Sequence, residues 1–576
     1  MRHLQKLTSS FESRFGSPEQ PDNLFSFARC MALDRCSRFP DTIVDAINVW
    51  GGQHYYVPTA WGGRLERVDE LAHLIRLMAR RDLSVAIAHA KTILGAIGIW
   101  MAADARHAPV VAKKILRGES IALALTERAH GSDISASMVN AVETDGEYRL
   151  NGEKYLINNA TRSSVVVVYA RTDTELSSRN FSLFVVEKDR LPASEYGLLP
   201  KVSTHGMKGA DISGIRFLSA RIPHEAVIGR RGQGLELILL GFQVTRTLCA
   251  ALSCGAGDTA LRSAYAFAER RRVAGQPLLA RPVIAQILAD STADLLIADI
   301  VALTGARAAN IMPAQMSVIS AIVKGAIPER VEAMIERLAD VMGARGYVGG
   351  ETEYGFFEKL LRDCRLVSVF DGSTVVNLQS LVLQLPGLAR KRRAQLKDVV
   401  DHVRLDALFN PQAPCPPWDA AQFSLTSHGE DDITRSLGTA VEQLNARSDL
   451  APECRTRLAQ RVARLSDHLS NIDRLMLGAT LRPGRIQPCQ FALAKQYAQT
   501  FCAACCLQTF LCATEVLGTP FRSATWLEAC LDRLFGEHVR DTDGMLEAIR
   551  YAIAEQTWIS VFTLPVSQGA TRETAL

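Results

Sequence analysis

One acidic residue of this 576-residue chain has the surroundings of a catalytic base. Asp371 follows an apolar run and precedes Gly372 in the stretch RDCRLVSVFDGST. A carboxylate held against a substrate carbon can accept its proton, but Asp-Gly is also an ordinary surface turn. The local pattern leaves both interpretations open.

The thirteen cysteines form no regular metal-ligand pattern. FCAACC at 501–506 contains a Cys-x-x-Cys pair, but no second pair or nearby histidine completes a site. The pair lies in an apolar helical run, which favours buried thiols over a zinc or redox centre. With an odd cysteine count and no signal peptide, the sequence predicts a metal-free protein of the reducing cytoplasm.

The charge of the chain argues against nucleic-acid binding. A formal net charge of +4 is dilute, and the densest basic cluster, ARKRR at 389–393, is typical of a solvated helix end. No apolar stretch reaches the ~18 residues that span a bilayer, so no transmembrane segment is expected. With 48 % apolar and 22 % charged residues, the composition is that of a soluble globular protein.

Hydrophobic periodicity divides the chain into helical and strand-rich parts. The β part contains an Asn-Gly pair at 151–152 that predicts a hairpin turn, and three helices are predicted at 281–310, 314–345 and roughly 352–385. The resulting fold class is α+β, with an N-terminal helical domain, a small β-barrel domain, a four-helix bundle and an extra helical domain. The predicted bounds are 1–120, 121–232, 233–395 and 420–576, with a proline-rich linker at about 396–419.

Five motifs resemble those of the acyl-CoA dehydrogenase family, and they occur along the chain in the same order as in that family. The segment LTERAHGSD (125–133) is similar to the family's TEPxAGSD, and Thr245-Arg246 to the pair on its main C-terminal helix. The other three are NGEKYLINNA (151–160), ERRRVAGQPL (269–278) and the glycine-rich turn and Asp-Gly segment within 340–374. The resemblance covers about residues 20–390 and includes the helical, β, helical order.

The resemblance implies an FAD-dependent enzyme that removes an α-proton and a β-hydride from an acyl thioester. The proton requires a carboxylate within reach of the α-carbon. The hydride requires a flavin, because no side chain accepts hydride. By position in the motifs, Asp371 is the base and Arg246 orients it, while Ser132, Gln243, Arg246 and Gly372 contact the substrate.

The resemblance also implies a set of cofactor contacts. Each of these residues has a simpler interpretation as a turn, cap or surface residue when it is taken alone. The set comprises Leu123, Leu125, Thr126, Ser132, Leu156, Ile157, Asn158, Arg271, Gly343, Gly346, Ser373 and Thr374. Arg271 is expected to meet the FAD pyrophosphate across a dimer interface.

Several positions depart from the family's pattern. Asp371 stands where the family has glutamate, and the side chain is one methylene shorter; Leu156 replaces a tryptophan and Asn158 a threonine at the flavin. Further departures, chiefly toward the adenosine half, are Ala274, Pro282 and Val375. Arg128 replaces a proline and is either a substrate-phosphate anchor or a surface arginine. These changes suggest a specialised member acting on an unusual acyl thioester.

The helical extension resembles that of family members with long C-terminal domains, which implies a homodimer. The substrate is expected to be an acyl-CoA or an acyl-carrier-protein thioester, and the electron acceptor an electron-transfer flavoprotein or oxygen. Two alternatives stay open, since fold does not fix function. They are oxidase or monooxygenase chemistry on the same scaffold, and a degenerate relative that only binds a partner.

Overall fold

The computed structural model describes residues 1–173, 179–349, 355–394, 401–480 and 485–566. The chain runs through six helices, a seven-stranded sheet, a helical bundle and a second set of helices. This agrees with the predicted fold class, which is confirmed. The predicted domain bounds stay predictions; the first residues of the expected linker and the last ten residues of the extension lie outside the described residues.

The N-terminal part is built around two core helices. Its helices are α1 (Arg2–Phe15), α2 (Phe27–Arg35), α3 (Asp41–Trp50), α4 (Val68–Arg81), α5 (Leu83–Met101) and α6 (Ala108–Leu116). Asp82 begins α5, because its carboxylate accepts a hydrogen bond from the Val85 amide at 2.9 Å. Helix α5 is apolar on nearly every side, which is typical of a helix enclosed by other elements.

The sheet follows α6 and curls over one side of α5. Its strands are β1 (Ile121–Ala124), β2 (Asn140–Thr144), β3 (Glu147–Asn158), β4 (Val165–Arg171), β5 (Phe181–Glu187), β6 (Tyr196–Leu199) and β7 (Ile212–Pro223). The order is β1-β4-β2-β3-β7-β6, with β5 paired to β4. Gly95 permits the contact with α5, because a Cβ there would lie 2.4 Å from the Ile121 carbonyl oxygen.

The prediction of a hairpin turn at Asn151-Gly152 is wrong. These residues lie inside β3 at an irregularity in its pairing with β7, and Gly152 has a φ of 120°. The β2–β3 turn is Asp145-Gly146 instead, with φ values of 52° and 79°. Both sequences satisfy the same left-handed turn preference, so the dipeptide alone does not distinguish a turn from a bulge.

The bundle packs against α4 and α5. It consists of α7 (Gly234–Arg270), α8 (Pro282–Ile311), α9 (Met316–Met342), α10 (Gly355–Cys364) and α11 (Thr374–Ala394), with a short ribbon of β8 (Arg272–Val273) and β9 (Gln276–Pro277). The single helix predicted at roughly 352–385 is wrong. The Asp371-Gly372 pair has φ values of 55° and 93° and separates α10 from α11, since neither value is compatible with a right-handed helix.

The C-terminal extension shares one hydrophobic core with the bundle. Its helices are α12 (His402–Phe409), α13 (Asp432–Arg435), α14 (Leu437–Ala446), α15 (Pro452–Leu477), α16 (Pro488–Cys512), α17 (Thr525–Leu534) and α18 (Thr542–Ala554). Helix α12 lies within the segment expected to be a linker. Arg392 of α11 binds Asp473 of α15 at 2.6 Å and the Tyr497 hydroxyl of α16 at 2.9 Å.

Within the described part of the chain, two helices, α5 and α7, are long and apolar enough to cross a membrane by length and composition alone. In the structure their apolar windows are 94 % and 89 % buried against other parts of the protein. Both are therefore core helices, and their hydrophobicity is explained by the packing of the sheet and the bundle around them.

Candidate active site

Asp371 lies at the centre of a buried cluster rather than on the surface. It occupies the turn between α10 and α11, and its side chain is 7 % exposed. A φ of 55° is unfavourable for a residue with a side chain, so the surroundings have to hold the turn. The next position favours glycine for two reasons. Gly372 has a φ of 93°, and a Cβ there would lie 3.2 Å from Arg246 Nη2.

Lys91 of α5 is the ion-pair partner of Asp371. Its Nζ atom donates a hydrogen bond to Asp371 Oδ2 at 2.7 Å, and its side chain is only 8 % exposed. The same ammonium lies 4.0 Å from the centre of the Phe370 ring, a favourable distance for a cation–π interaction. Lys91 was not predicted to be a site residue, although a lone lysine in the apolar helix IAHAKTILGAIGIW was a usable signal.

Arg246 contacts the turn through its backbone. Its Nε atom donates to the Asp371 carbonyl oxygen at 3.2 Å. Asn377, in the first turn of α11, donates from Nδ2 to the carbonyl oxygens of Gly372 and Ser373 at 2.8 and 2.9 Å. Burial lowers the pKa of Arg246, and Asp371 opposes that shift. The structure thus brings together the two residues predicted to be catalytic.

Two further groups, Cys249 and Lys324, lie close to the Asp371 turn. Cys249 Sγ lies 3.8 Å from Asp371 Oδ2, and burial, reinforced by Asp371, raises the pKa of the thiol to about 12, so it stays protonated. Lys324 of α9 donates to the Val367 carbonyl oxygen at 2.8 Å, and burial lowers the pKa of its ammonium. Three cationic side chains therefore lie around the Asp371 turn, and of these Lys91 bonds the carboxylate itself.

A small cavity adjoins Asp371. Its volume is about 20 Å³, and its walls are mostly aliphatic side chains of α4, α5 and α7, including Ile87, Leu94 and Leu252. That volume holds one water molecule and no acyl chain, so a substrate has to separate α5 from α7 or displace side chains. Thr245 Oγ1 lines the cavity and is buried without a hydrogen-bond partner among the described residues.

Gln243 is already occupied in this structure. Its Nε2 atom donates to the Ser424 carbonyl oxygen, in the segment before α13, at 2.7 Å. Gln243 Oε1 and Asn377 Oδ1 are buried without a partner within the described ranges. The predicted substrate contact of Gln243 stays a prediction, whereas Gly372 lies beside the carboxylate in the Asp371 turn.

Most predicted flavin contacts lie at the end of β1 and along β3. Leu123 is buried, Leu125 and Thr126 are half-buried, and Ser132 is exposed. Leu156 stands on a β3 bulge with a φ of 58°, and 45 % of its surface is exposed. The next side chain, Ile157, is buried in the core of the sheet, so only its backbone is available to a ligand.

The remaining predicted contacts are distributed over four places. Ser373 and Thr374 are half-buried beside Asp371, and Asn158 is half-buried at the end of β3. Gly343 is exposed and has a φ of 54°, and no atom of the described residues lies within 4 Å of where a Cβ would stand; Gly346 is buried. Arg271 is exposed beyond the end of α7.

Arg271 is too far along α7 to reach the Asp371 cluster of its own chain. It lies 25 residues beyond Arg246, which corresponds to ~37 Å at 1.5 Å per helical residue. The structure brings together Asp371, Arg246, Gly372, Ser373 and Thr374, but it does not bring Arg271 to them within one chain.

Arg128 is committed to the surface of the sheet. Its Nε atom donates to Glu153 at 2.9 Å, and its guanidinium lies 3.8 Å from the centre of the Tyr155 ring. Of the two interpretations given to Arg128, the structure favours the surface arginine.

A buried ion pair holds the loop that carries Thr126 and Ser132. Glu127 pairs with Lys154 of β3 at 2.9 Å and accepts hydrogen bonds from the Ser137 hydroxyl and the amides of Met138 and Val139. Burial opposes ionisation, yet Lys154 and these hydrogen bonds lower the pKa of Glu127 to about 2. Both residues lie in motifs that carry the family resemblance, but their pairing was not predicted from the sequence.

We expect Glu127 to stabilise the fold in a pH-dependent way. Because its folded pKa lies below its usual value of 4.5, its contribution is complete above pH ~4.5 and is lost as the pH falls toward 2. Glu127→Gln should lower the melting temperature at pH 7, and the difference from wild type should shrink as the pH falls through that window. Arg128→Met, which removes an exposed pair, is the control and should change little. A Glu127→Gln difference that is independent of pH would contradict this.

Two family models match the chain. "Acyl-CoA dehydrogenase, middle domain" matches residues 122–220, and "Acyl-CoA dehydrogenase, C-terminal domain" matches residues 232–384. The first of these covers the sheet, and the second covers the bundle with Arg246 and Asp371.

Curated relatives match over the same part of the chain. A probable acyl-CoA dehydrogenase of Mycobacterium tuberculosis is 26 % identical over 378 residues, which are 63 % of this chain and 94 % of the relative. A cyclohex-1-ene-1-carbonyl-CoA dehydrogenase of Geobacter metallireducens is 28 % identical over 354 residues, covering 60 % of this chain and 90 % of the relative.

Solved structures share this fold, and one of the two described next also covers the extension. An acyl-CoA dehydrogenase of Bacillus anthracis, complexed with FAD, has a TM-score of 0.66 at 17 % identity and covers 96 % of this chain and 90 % of its own. The prolyl acyl carrier protein oxidase AnaB has a TM-score of 0.60 at 18 % identity and covers 67 % of this chain and 98 % of its own.

Proposed function

Because this chain belongs to the acyl-CoA dehydrogenase family of flavin oxidoreductases, we propose that it catalyses the FAD-dependent α,β-dehydrogenation of an acyl thioester. The observation that carries the proposal is the position of Asp371. Its carboxylate lines an aliphatic cavity. Arg246 of α7 and Asn377 of α11 hold the turn that carries it by hydrogen bonds to backbone carbonyl oxygens. Removal of an α-proton requires a base that can come within hydrogen-bonding reach of the substrate carbon.

The residues present fit a flavin. Leu156 exposes an aliphatic surface on a bulged strand, which suits the face of a flat ring. Asn158 lies two residues further along β3, and the Thr126 carbonyl oxygen accepts a hydrogen bond from the Tyr155 amide at 2.9 Å. Ser132, Ser373 and Thr374 offer partly exposed hydroxyls for a polar chain. Gly343 leaves open space in which a ligand can approach the backbone. The cofactor is FAD, which supplies the acceptor for the β-hydride.

Asp371 has to change its partner before it acts. In this structure its Oδ2 atom is bonded to Lys91, so the carboxylate must rotate toward the substrate α-carbon while the backbone stays fixed. The hydrogen bonds of Arg246 and Asn377 to the turn make this possible, because they involve carbonyl oxygens and not the carboxylate.

Lys91 keeps a favourable environment after that rotation. Its ammonium still faces the Phe370 ring at 4.0 Å, and a cation–π contact offsets part of the lost ion pair. The aliphatic walls from Ile87 to Leu252 exclude water from the reacting carbon. A dry site strengthens every charge interaction within it.

The proposal includes two carriers for the thioester, CoA and a carrier protein, and two electron acceptors. Acyl-CoA substrates are supported by the names of the curated relatives, and a protein-bound acyl group by the name of AnaB. Electrons leave to an electron-transfer flavoprotein or to oxygen. Oxygen consumption that accompanies substrate oxidation, without an added acceptor, would identify an oxidase.

We also propose a homodimer located in the cytoplasm. The length of α7 supports the dimer. Arg271 lies too far from Asp371 of its own chain to contact a flavin bound there, so a flavin contact of Arg271 requires the active site of a second subunit. All thirteen cysteines are free, as expected in a reducing compartment.

Replacing the base should stop reduction of the flavin. We expect Asp371→Asn to slow anaerobic bleaching of bound FAD by butyryl-CoA or octanoyl-CoA by about 10²–10⁴-fold, because general-base catalysis contributes that much. FAD content should not change, since the amide keeps the shape of the turn. Asp189→Asn, an exposed acid, is the matched control. Bleaching of Asp371→Asn at the wild-type rate would remove Asp371 from the mechanism.

Removal of the arginine beyond α7 should weaken cofactor binding without changing the bundle. We expect Arg271→Met to raise the dissociation constant for FAD about 10–100-fold, which corresponds to one charged hydrogen bond of about 1.5–3 kcal/mol. Arg272→Met, an exposed neighbour, is the control. Fluorescence titration of the apoprotein measures the constant, and light scattering measures the mass of the dimer. Equal FAD affinity in both variants, or a monomeric holoprotein, would contradict the assignment.

A further inference from the structure

A second cavity, larger than the one beside Asp371, lies elsewhere in the protein. It has a volume of about 250 Å³ and separates α8, α9 and α11 of the bundle from α16 and α17 of the extension. None of its lining residues is shared with the small cavity beside Asp371. The proposed dehydrogenation assigns no role to it, and we call it the extension cavity.

The deep walls of the extension cavity are apolar. Ile322 of α9, Leu378 of α11, and Ala498 and Cys502 of α16 line it and are buried. Small residues on α9, among them Ala326 and Ala333, leave the space open. An apolar wall of this kind accommodates a short hydrocarbon group.

One wall of the extension cavity carries three guanidinium groups around one acid. Arg330 and Arg337 of α9 and Arg533 of α17 all pair with Asp294 of α8; the Arg330 and Arg533 contacts measure 2.5 and 3.2 Å. Arg533 also lies 3.6 Å from Asp290. Three guanidiniums carry ~15 N–H donors, which is far more than one carboxylate can accept.

The lining as a whole has an excess of positive charge. Lys495, the fourth cation, pairs with Glu329 at 3.1 Å near the mouth, so four cations face two acids among the lining residues. The Nε atoms of Arg337 and Arg533 are buried and have no hydrogen-bond partner within the described part of the chain. Buried donors are normally satisfied, and a concave cationic wall concentrates anions.

From these observations we propose that the extension cavity binds a small amphiphilic anion. Its carboxylate or phosphate head lies against Arg337 and Arg533, and its short apolar part lies against Ile322, Leu378 and Ala498. The volume is slightly below the range of pockets for drug-sized ligands, which limits the ligand to a compact molecule. The two chemistries of the head share one recognition principle, charge-assisted hydrogen bonds from guanidinium.

The site is tested by calorimetric titration of the FAD-loaded protein. The probes are hexyl phosphate, hexanoate and inorganic phosphate, with hexanol as the uncharged comparison. We expect one of the hexyl anions to bind at least tenfold more tightly than either hexanol or inorganic phosphate, because both the head and the chain contribute. The stronger of the two anions identifies the head group.

Two variants separate this cavity from the acyl site. Ala326→Phe fills the extension cavity without removing a charge, and Arg337→Met removes a donor while Asp294 keeps Arg330 and Arg533. Each should weaken binding of the hexyl anion at least tenfold, with an unchanged flavin spectrum that shows an intact fold. Arg457→Met, an exposed arginine outside the cavity, is the control. Absence of binding to wild-type protein, or equal affinity in wild type and Ala326→Phe, would overturn the proposal.

Discussion

The buried ion pair between Lys91 and Asp371 is the contact around which the candidate active site is organised. It joins α5 to the turn between α10 and α11, and the two paired residues are 280 positions apart in the chain. A charge in such a place is costly unless it is paired, and loss of one partner of a buried pair typically costs about 3–5 kcal/mol. The pair therefore keeps a carboxylate inside an aliphatic region, available to a substrate that opens the cavity.

Several features follow from that requirement. The turn adopts left-handed backbone angles at both Asp371 and Gly372. Arg246 and Asn377 stabilise this strained conformation by donating hydrogen bonds to its carbonyl oxygens. Helix α5 is enclosed by the sheet and by α7, so Lys91 has few alternatives to the Asp371 carboxylate and the Phe370 ring. The extension adds helices that share the core of the bundle, and a charged cavity lies at their junction.

The sequence was sufficient for the family, the order of helical and strand-rich parts, and the meeting of Asp371 with Arg246, because these depend on motifs in register. It was insufficient where a residue's partner is distant. Lys91 and the Glu127–Lys154 pair were not predicted, since their contacts arise only when elements pack. The hairpin expected at Asn151-Gly152 was wrong because a bulge satisfies the same left-handed angle, and the roles given to the FAD-contact residues stay predictions.

Exchange of the substrate α-proton tests the role of Asp371 most directly. A 3-thia-acyl-CoA has sulfur in place of the β-carbon and offers no β-hydride, so in D₂O the FAD-loaded protein can perform only the proton transfer, which NMR follows. We expect wild-type protein to exchange the α-protons and Asp371→Asn to do so about 10²–10⁴-fold more slowly. Exchange at the same rate in both proteins would contradict the account, because the proton would then be taken by another group.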